Sequence, residues 1–341
     1  MASKRTREGY PSLSVKKVKA MDDKEAFEEK GGLSKKPKGK INDLYEHLKK
    51  DAVNKRDAAG LFPNEKDNMK LKATNIKQLP TDASGRLPPW NPDVPFADGE
   101  PKIGNDYVCL VVGKRRTGKT WIARKLLHMK RQIFNHGLVI TKTKFNGFWQ
   151  NYFPAAVIHG TFDPVILEQF MLLALEIEEY NRANPREQIN NKSVIVLDDV
   201  IADKKVRYDD TLATLFYNGR HFGIFLIICS QYVFGLPPGL RSNADLVFVL
   251  RQFQNRQRKQ LTEDYADMLD DTLEFTDALN VNTEDNGCVV IDISSPSRPI
   301  AEMFYSWKSD DPGLFEIGSY IWKKQVWEEG EEADKIDYTF K

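Results

Sequence analysis

Cysteine is scarce: the 341 residues hold three, Cys109, Cys229 and Cys288. Each sits in an apolar run and none has zinc-ligand spacing, so no disulfide framework or zinc site is expected, and a reducing compartment is implied. Long hydrophobic runs are missing as well. No apolar stretch approaches the roughly 20 residues that span a bilayer, and no apolar segment follows the N-terminus, so neither a transmembrane nor a secreted chain is expected. Net charge is nearly absent too, at a formal +1, but it is unevenly spread. Residues 1–88 hold 21 Lys/Arg against 13 Asp/Glu, a difference of +8; the remainder holds 29 against 36, a difference of −7. That asymmetry reads as a basic extension ahead of a neutral to acidic body. A hydrophobic content of 41% is enough for a packed core, and the length suits one large α/β domain with extensions or two modest domains.

The chain divides by composition. Residues 1–88 carry the basic clusters Lys4-Arg5-Thr6-Arg7, Lys16-Lys17-Val18-Lys19 and Lys35-Lys36-Pro37-Lys38-Gly39-Lys40, with few large apolar residues. Such a segment buries too little surface to offset chain entropy and is expected to be disordered, apart from a short helix near Ile41–Lys50. Its clusters read equally as phosphate contacts, an import signal or a solvated tail. Leu87–Pro95, with four prolines, leads in extended conformation into a domain spanning 89–325. An acidic tail, 326–341, closes the chain.

Within the domain, strands and helices alternate. Tyr107–Val112, Gly137–Thr141, Ser193–Leu197, Phe222–Cys229 and Ala244–Leu250 are continuous apolar runs, the pattern of strands covered on both faces by helices. Ala156–His159 reads as an edge strand, and Asp163-Pro164 as the N-cap and first position of a helix reaching about Asn181. Cys288–Ile293 and Ala301–Tyr305 read as a C-terminal β-hairpin. The expected fold is α/β, with an open, mostly parallel sheet.

What the chain does contain is Gly113-Lys114-Arg115-Arg116-Thr117-Gly118-Lys119-Thr120, which fits G-x-x-x-x-G-K-[ST] at every fixed position. It lies between an expected strand and an expected helix, the context in which loop amides and a helix N-terminus cradle phosphates. Lys119 is placed on the β- and γ-phosphates of ATP and Thr120 on Mg²⁺. Val194–Leu197 then runs into Asp198-Asp199, two carboxylates directly beyond a buried strand. Asp198 is assigned to the metal and Asp199 to the attacking water. Strand Phe222–Cys229 ends in Ser230-Gln231, where Gln231 is placed to sense the γ-phosphate. Arg220, just before that strand, is expected near the same face as a phosphoryl-charge stabiliser, in cis or from a neighbouring subunit, with Arg241, Arg251 and Arg256 as rivals; its alternative is a surface arginine capping a helix. Lys142 and Lys144, after the second strand, read as solvated loop lysines or as DNA contacts.

The order and spacing of the Gly113–Thr120 loop, Leu197-Asp198-Asp199, Gly219-Arg220-His221 and Ser230-Gln231 resemble the FtsK–HerA superfamily. The nearest likeness is to the poxvirus-type genome-packaging ATPases, with Asn243-Ala244-Asp245 entering a strand that Arg251 follows. The resemblance covers about residues 100–310. It departs at Asp198-Asp199, where many members carry Asp-Glu. It implies a RecA/FtsK-like P-loop NTPase that hydrolyses ATP with Mg²⁺ and pumps double-stranded DNA into a preformed capsid. It further implies a homo-oligomeric ring, capsid or portal-vertex partners, and action in the virion or at the virus assembly site. The rival readings are another P-loop DNA pump or helicase, a nucleoside or polynucleotide kinase, and a nucleotide-gated DNA- or capsid-binding switch.

Overall fold

The structure, a computed structural model, describes residues 37–61, 78–96, 99, 101–295, 298–319 and 322–323. Its centre is an eight-stranded sheet in the order β3-β2-β4-β5-β1-β6-β7-β8. The strands are β1 (Val108–Val112), β2 (His136–Thr141), β3 (Ile158–His159), β4 (Ser193–Asp198), β5 (Ile224–Ser230), β6 (Leu246–Val249), β7 (Cys288–Asp292) and β8 (Phe304–Trp307). The first six run parallel; β7 and β8 form the expected antiparallel hairpin against β6. Every residue of β1, β2, β4, β5, β6 and β7 is buried, because helices and loops cover both faces. That double burial is why these strands are apolar throughout rather than alternating.

Six longer helices are α1 (Pro37–Leu61), α2 (Lys119–Lys130), α3 (Pro164–Ala183), α4 (Asp210–Asn218), α5 (Asn255–Tyr265) and α6 (Thr272–Asn282). Asp163 caps α3 by accepting from the Val165 amide at 2.9 Å, with Pro164 at the first helical position. Helices α5 and α6 have no counterpart in the sequence reading, and α4 enters it only as the helix that Arg220 would cap.

The basic extension is not uniform. Its residues 1–36 and 62–77 lie outside the described residues, as does the acidic tail 326–341. Residues 37–61, however, form the 25-residue helix α1, well beyond the short helix expected. Ile41, Tyr45, Leu48 and Ala52 fall at helical spacing on one stripe; Ile41, Tyr45 and Ala52 are buried and Leu48 packs beside them. The stripe is narrow and the rest of the helix is charged, so composition alone resembles disorder. Asn218 donates to the Leu48 carbonyl at 3.1 Å and Arg56 to Asp210 at 2.9 Å, fastening α1 to α4. Leu87–Trp90 is likewise part of the packed body. At the free side of β8 the Trp90 amide donates to the Ser306 carbonyl and the Ser306 amide to the Pro88 carbonyl, both at 2.8 Å, and the Trp90 ring meets Phe248 and Trp307 edge-on at 5.4 and 5.0 Å. This segment covers the edge that β8 would otherwise expose.

Candidate active site

Parallel strands deliver their carboxyl ends to one edge of the sheet, and sheet order decides which loops meet there. Because β4, β5 and β1 are neighbours, the loops after them are adjacent. The register aligns Val112 with Ser230 and Asp198 with Cys229. Backbone bonds continue beyond the strands: the Gly113 amide donates to the Ser230 carbonyl at 3.1 Å, and the Asp199 amide to the Cys229 carbonyl at 3.0 Å. Three separate sequence motifs are thereby fixed against one another.

The glycine loop has the geometry that its sequence requires. A Cβ on Gly113 would lie 2.5 Å from Thr117 Oγ1 and 2.8 Å from Leu250 Cβ, so only glycine fits. Gly118 adopts φ 102° and Arg116 φ 65°, both left-handed, curling the loop into the start of α2. No side chain caps α2, whose N-cap is Gly118 and whose first turn holds no acidic residue. The amides of that turn therefore face an open site carrying the positive end of a 12-residue helix, an arrangement suited to phosphate.

Lys119 lies at the bottom of this cradle, 6% exposed. Its Nζ donates to the Lys114 carbonyl at 3.2 Å and stands 4.0 Å from Asp199 Oδ1. Asp199 is held at φ 55°, a left-handed conformation that aspartate tolerates better than most residues. Its Oδ2 accepts from Gln231 Nε2 at 3.0 Å, while its buried Oδ1 has no hydrogen-bond partner among the described residues. Lys119, Asp199 and Gln231 thus converge at one corner, as the sequence predicts, and the corner presents an unsatisfied carboxylate oxygen.

Asp198 is buried, and its Oδ2 accepts from the Trp149 indole N–H at 3.0 Å and from Thr141 Oγ1 at 3.3 Å. Burial raises its pKa; the Trp149 bond, Lys119 and the Thr141 bond pull it down, and the neighbouring Asp199 charge pushes it up. Among the described residues, no group of three or more His, Cys, Asp or Glu side chains could enclose a metal. A buried carboxylate at the end of β4, with Thr120 in the first turn of α2, instead suits Mg²⁺ that takes its other ligands from phosphates and water. The residues present fit ATP with Mg²⁺: an open helix N-terminus, a buried lysine and two carboxylates of different environment.

Arg220 does not join them. It precedes β5 and therefore sits at the amino edge of the sheet, separated from the glycine loop by the length of a five-residue strand, roughly 16 Å. There it pairs with buried Asp245, whose Oδ2 also accepts from the Val108 amide at 2.7 Å. Arg241 is committed to an internal pair with Asp264 at 2.8 Å. Arg251, exposed just beyond β6, is at the nucleotide edge.

Sequence reasoning missed Thr141 and Trp149, which hold Asp198, and Leu250, which packs on Gly113. No motif marks them. They are neighbours only because β2 pairs with β4 and β6 with β1.

Comparison with known proteins adds independent findings. The family model of the Poxvirus A32 protein matches residues 101–250, a span that contains the glycine loop, Asp198-Asp199 and Gln231. An uncharacterized protein, 075L, of Invertebrate iridescent virus 6 is 31% identical over 216 residues, covering 63% of this chain and 81% of that relative. Protein L437 of Acanthamoeba polyphaga mimivirus is 29% identical, covering 62% of this chain and 75% of its own. Among solved structures, the genome packaging NTPase B204 of Sulfolobus turreted icosahedral virus 2, in complex with AMPPCP, superposes with a TM-score of 0.44 at 13% identity. That superposition covers 61% of this chain and all of B204.

Proposed function

This chain belongs to the Poxvirus A32 protein family and is a viral packaging ATPase, and from that premise we propose that it drives double-stranded DNA into a preformed capsid by Mg²⁺-dependent hydrolysis of ATP. The observation that carries the reading is the corner where Asp199 meets both Lys119 and Gln231 at the end of β4 and β5.

In this reading, the loop amides of Gly113–Thr120 and the α2 N-terminus bind the phosphates, and Lys119 exchanges its bond to the Lys114 carbonyl for phosphate oxygens. Asp198 and Thr120 hold Mg²⁺, which supplies charge neutralisation along the phosphate chain. Asp199 orients a water molecule and takes its proton as the water oxygen bonds to the γ-phosphorus and the bond to ADP breaks. Gln231, bonded to the same carboxylate, reports whether the γ-phosphate is present to β5 and hence to the sheet. Arg220 has a structural part in this scheme. A homo-oligomeric ring around the duplex, docked on capsid or portal-vertex proteins at the virus assembly site, completes the proposal.

The test is steady-state hydrolysis with Mg²⁺ or with EDTA, each with and without duplex DNA, alongside Lys119→Ala and Asp199→Asn. Stimulation by duplex DNA, loss with EDTA and loss in both variants support the motor. ATP hydrolysis indifferent to DNA would overturn translocation and favour a nucleotide-gated capsid-binding switch.

A further inference from the structure

We propose that Phe253 is the platform on which the base of the bound nucleotide stacks, with Arg251 and Lys114 beside it; this rests on the nucleotide-binding reading of the glycine loop.

Direction comes from sheet order. The residues that face the γ-phosphate in that reading, Asp199 and Gln231, follow β4 and β5, which lie on one side of β1. Phosphates wrapped by the loop after β1 therefore lead away from that side, and the nucleoside emerges over β6, the neighbour of β1 on the other side. The segment after β6 is built against the loop. Leu250 donates its amide to the Val112 carbonyl at 2.9 Å, and a Cβ on Gly113 or Gly118 would lie 2.8 or 3.6 Å from its side chain. Leu250 thus touches both fixed glycines of the motif.

Two residues further on, Gln252 turns inward: it is 7% exposed and donates to the Leu250 carbonyl at 3.0 Å. Its inward turn leaves Arg251 and Phe253 outward, both exposed. Phe253 is 62% exposed, so its ring is open to a ligand. Lys114, the second residue of the glycine loop, brings Nζ to 5.6 Å from the ring centroid, and the Arg251 guanidinium carbon stands at 5.7 Å. An aromatic face flanked by two cations, one of them from the phosphate loop itself, suits a base joined to a polyphosphate.

Other exposed aromatics fit less well. Phe145 lies after β2 and Tyr232 directly after Gln231, both on the γ-phosphate side. Trp121, next to Thr120, has the Arg124 guanidinium stacked on its ring at 3.8 Å, whereas the two cations over Phe253 stand at 5.6 and 5.7 Å.

The experiment measures equilibrium affinities of the full chain for ADP and for pyrophosphate, neither of which is turned over, by titration calorimetry. Phe253→Ala is expected to weaken ADP about tenfold and leave pyrophosphate unchanged, and Phe253→Trp to retain ADP affinity. Unchanged ADP affinity in Phe253→Ala would overturn the assignment. So would equal weakening of both ligands, which would make Phe253 a support of the loop rather than a base platform. Failure of the underlying reading looks different: the unsubstituted protein would bind neither ligand, and both proposals would fall.

Discussion

The indole N–H of Trp149 donates to the buried Oδ2 of Asp198 at 3.0 Å, across 49 residues of sequence. Thr141 bonds the same oxygen at 3.3 Å, so the segment between Thr141 and Trp149, with Phe145 at its exposed tip, is pinned at both ends to one carboxylate. The expected metal ligand is therefore also a structural anchor. Trp149→Phe keeps an aromatic ring and removes the donor. Leaving a buried acceptor short of a bond is expected to cost about 1–3 kcal/mol, read by urea denaturation. Because that bond lowers the Asp198 pKa against the effect of burial, its loss moves the pKa further up. The acid limb of hydrolysis is expected to shift to higher pH, and half-maximal activity to need more Mg²⁺. In the metal-free protein the folded pKa lies above the unfolded value. Protonation of buried Asp198 therefore favours the folded chain at low pH, an advantage lost as pH rises from 3.8 through the folded pKa.

Gly113→Ala is expected to abolish nucleotide binding while the sheet persists. The new methyl would meet Thr117 Oγ1 at 2.5 Å and Leu250 Cβ at 2.8 Å, forcing the loop open. Overpacking of this kind costs about 1–3 kcal/mol. Thermal unfolding with and without ADP checks it: the midpoint should fall by several degrees without ligand and show no rise on adding ADP. A normal ligand-induced rise would contradict the tight-fit account.

For Arg220→Ala, stability should suffer before chemistry does. The substitution leaves Asp245, 1% exposed, with only the Val108 amide among these partners. Since the arginine is 58% exposed, solvent screens much of the pair, and a cost of about 1–2 kcal/mol is expected. Hydrolysis per folded molecule should stay within about twofold, against a loss of 10³ or more for a true arginine finger. Denaturation and turnover measured on one preparation separate the two.

His136 gives the fold an acid sensitivity. It is buried at the start of β2 with neither ring nitrogen hydrogen-bonded among the described residues, its ring 5.1 Å from Phe170. Burial lowers its pKa from 6.5 to about 4. At pH above 6.5 the group is neutral in folded and unfolded chain alike, and its contribution is intact. As pH falls from 6.5 toward 4 only the unfolded chain takes up the proton, and stability drops by up to about 3 kcal/mol. His136→Phe should flatten that part of the stability–pH profile. A profile identical to the unsubstituted protein between pH 7 and 5 would count against it.

Much of this protein is local information. The strand–loop–helix of Gly113–Thr120, the apolar runs of the parallel strands, the Asp163-Pro164 helix start and the C-terminal hairpin follow from spacing and burial pattern, because each depends on residues within one element. Helix α1 was only partly legible, since its apolar stripe of Ile41, Tyr45, Leu48 and Ala52 is thin against a charged background and becomes a buried face only on contact with the rest of the domain. By itself the sequence singled out the residues proposed for phosphate and carboxylate chemistry. The tertiary structure decided which of them meet. Placing β5 between β4 and β1 brings Gln231 to Asp199, whereas entering β5 from the amino edge takes Arg220 a strand's length away to Asp245. Trp149 on Asp198 and Leu250 on Gly113 follow from strand order and register. Those arise from packing the whole chain at once and leave no periodic trace along it.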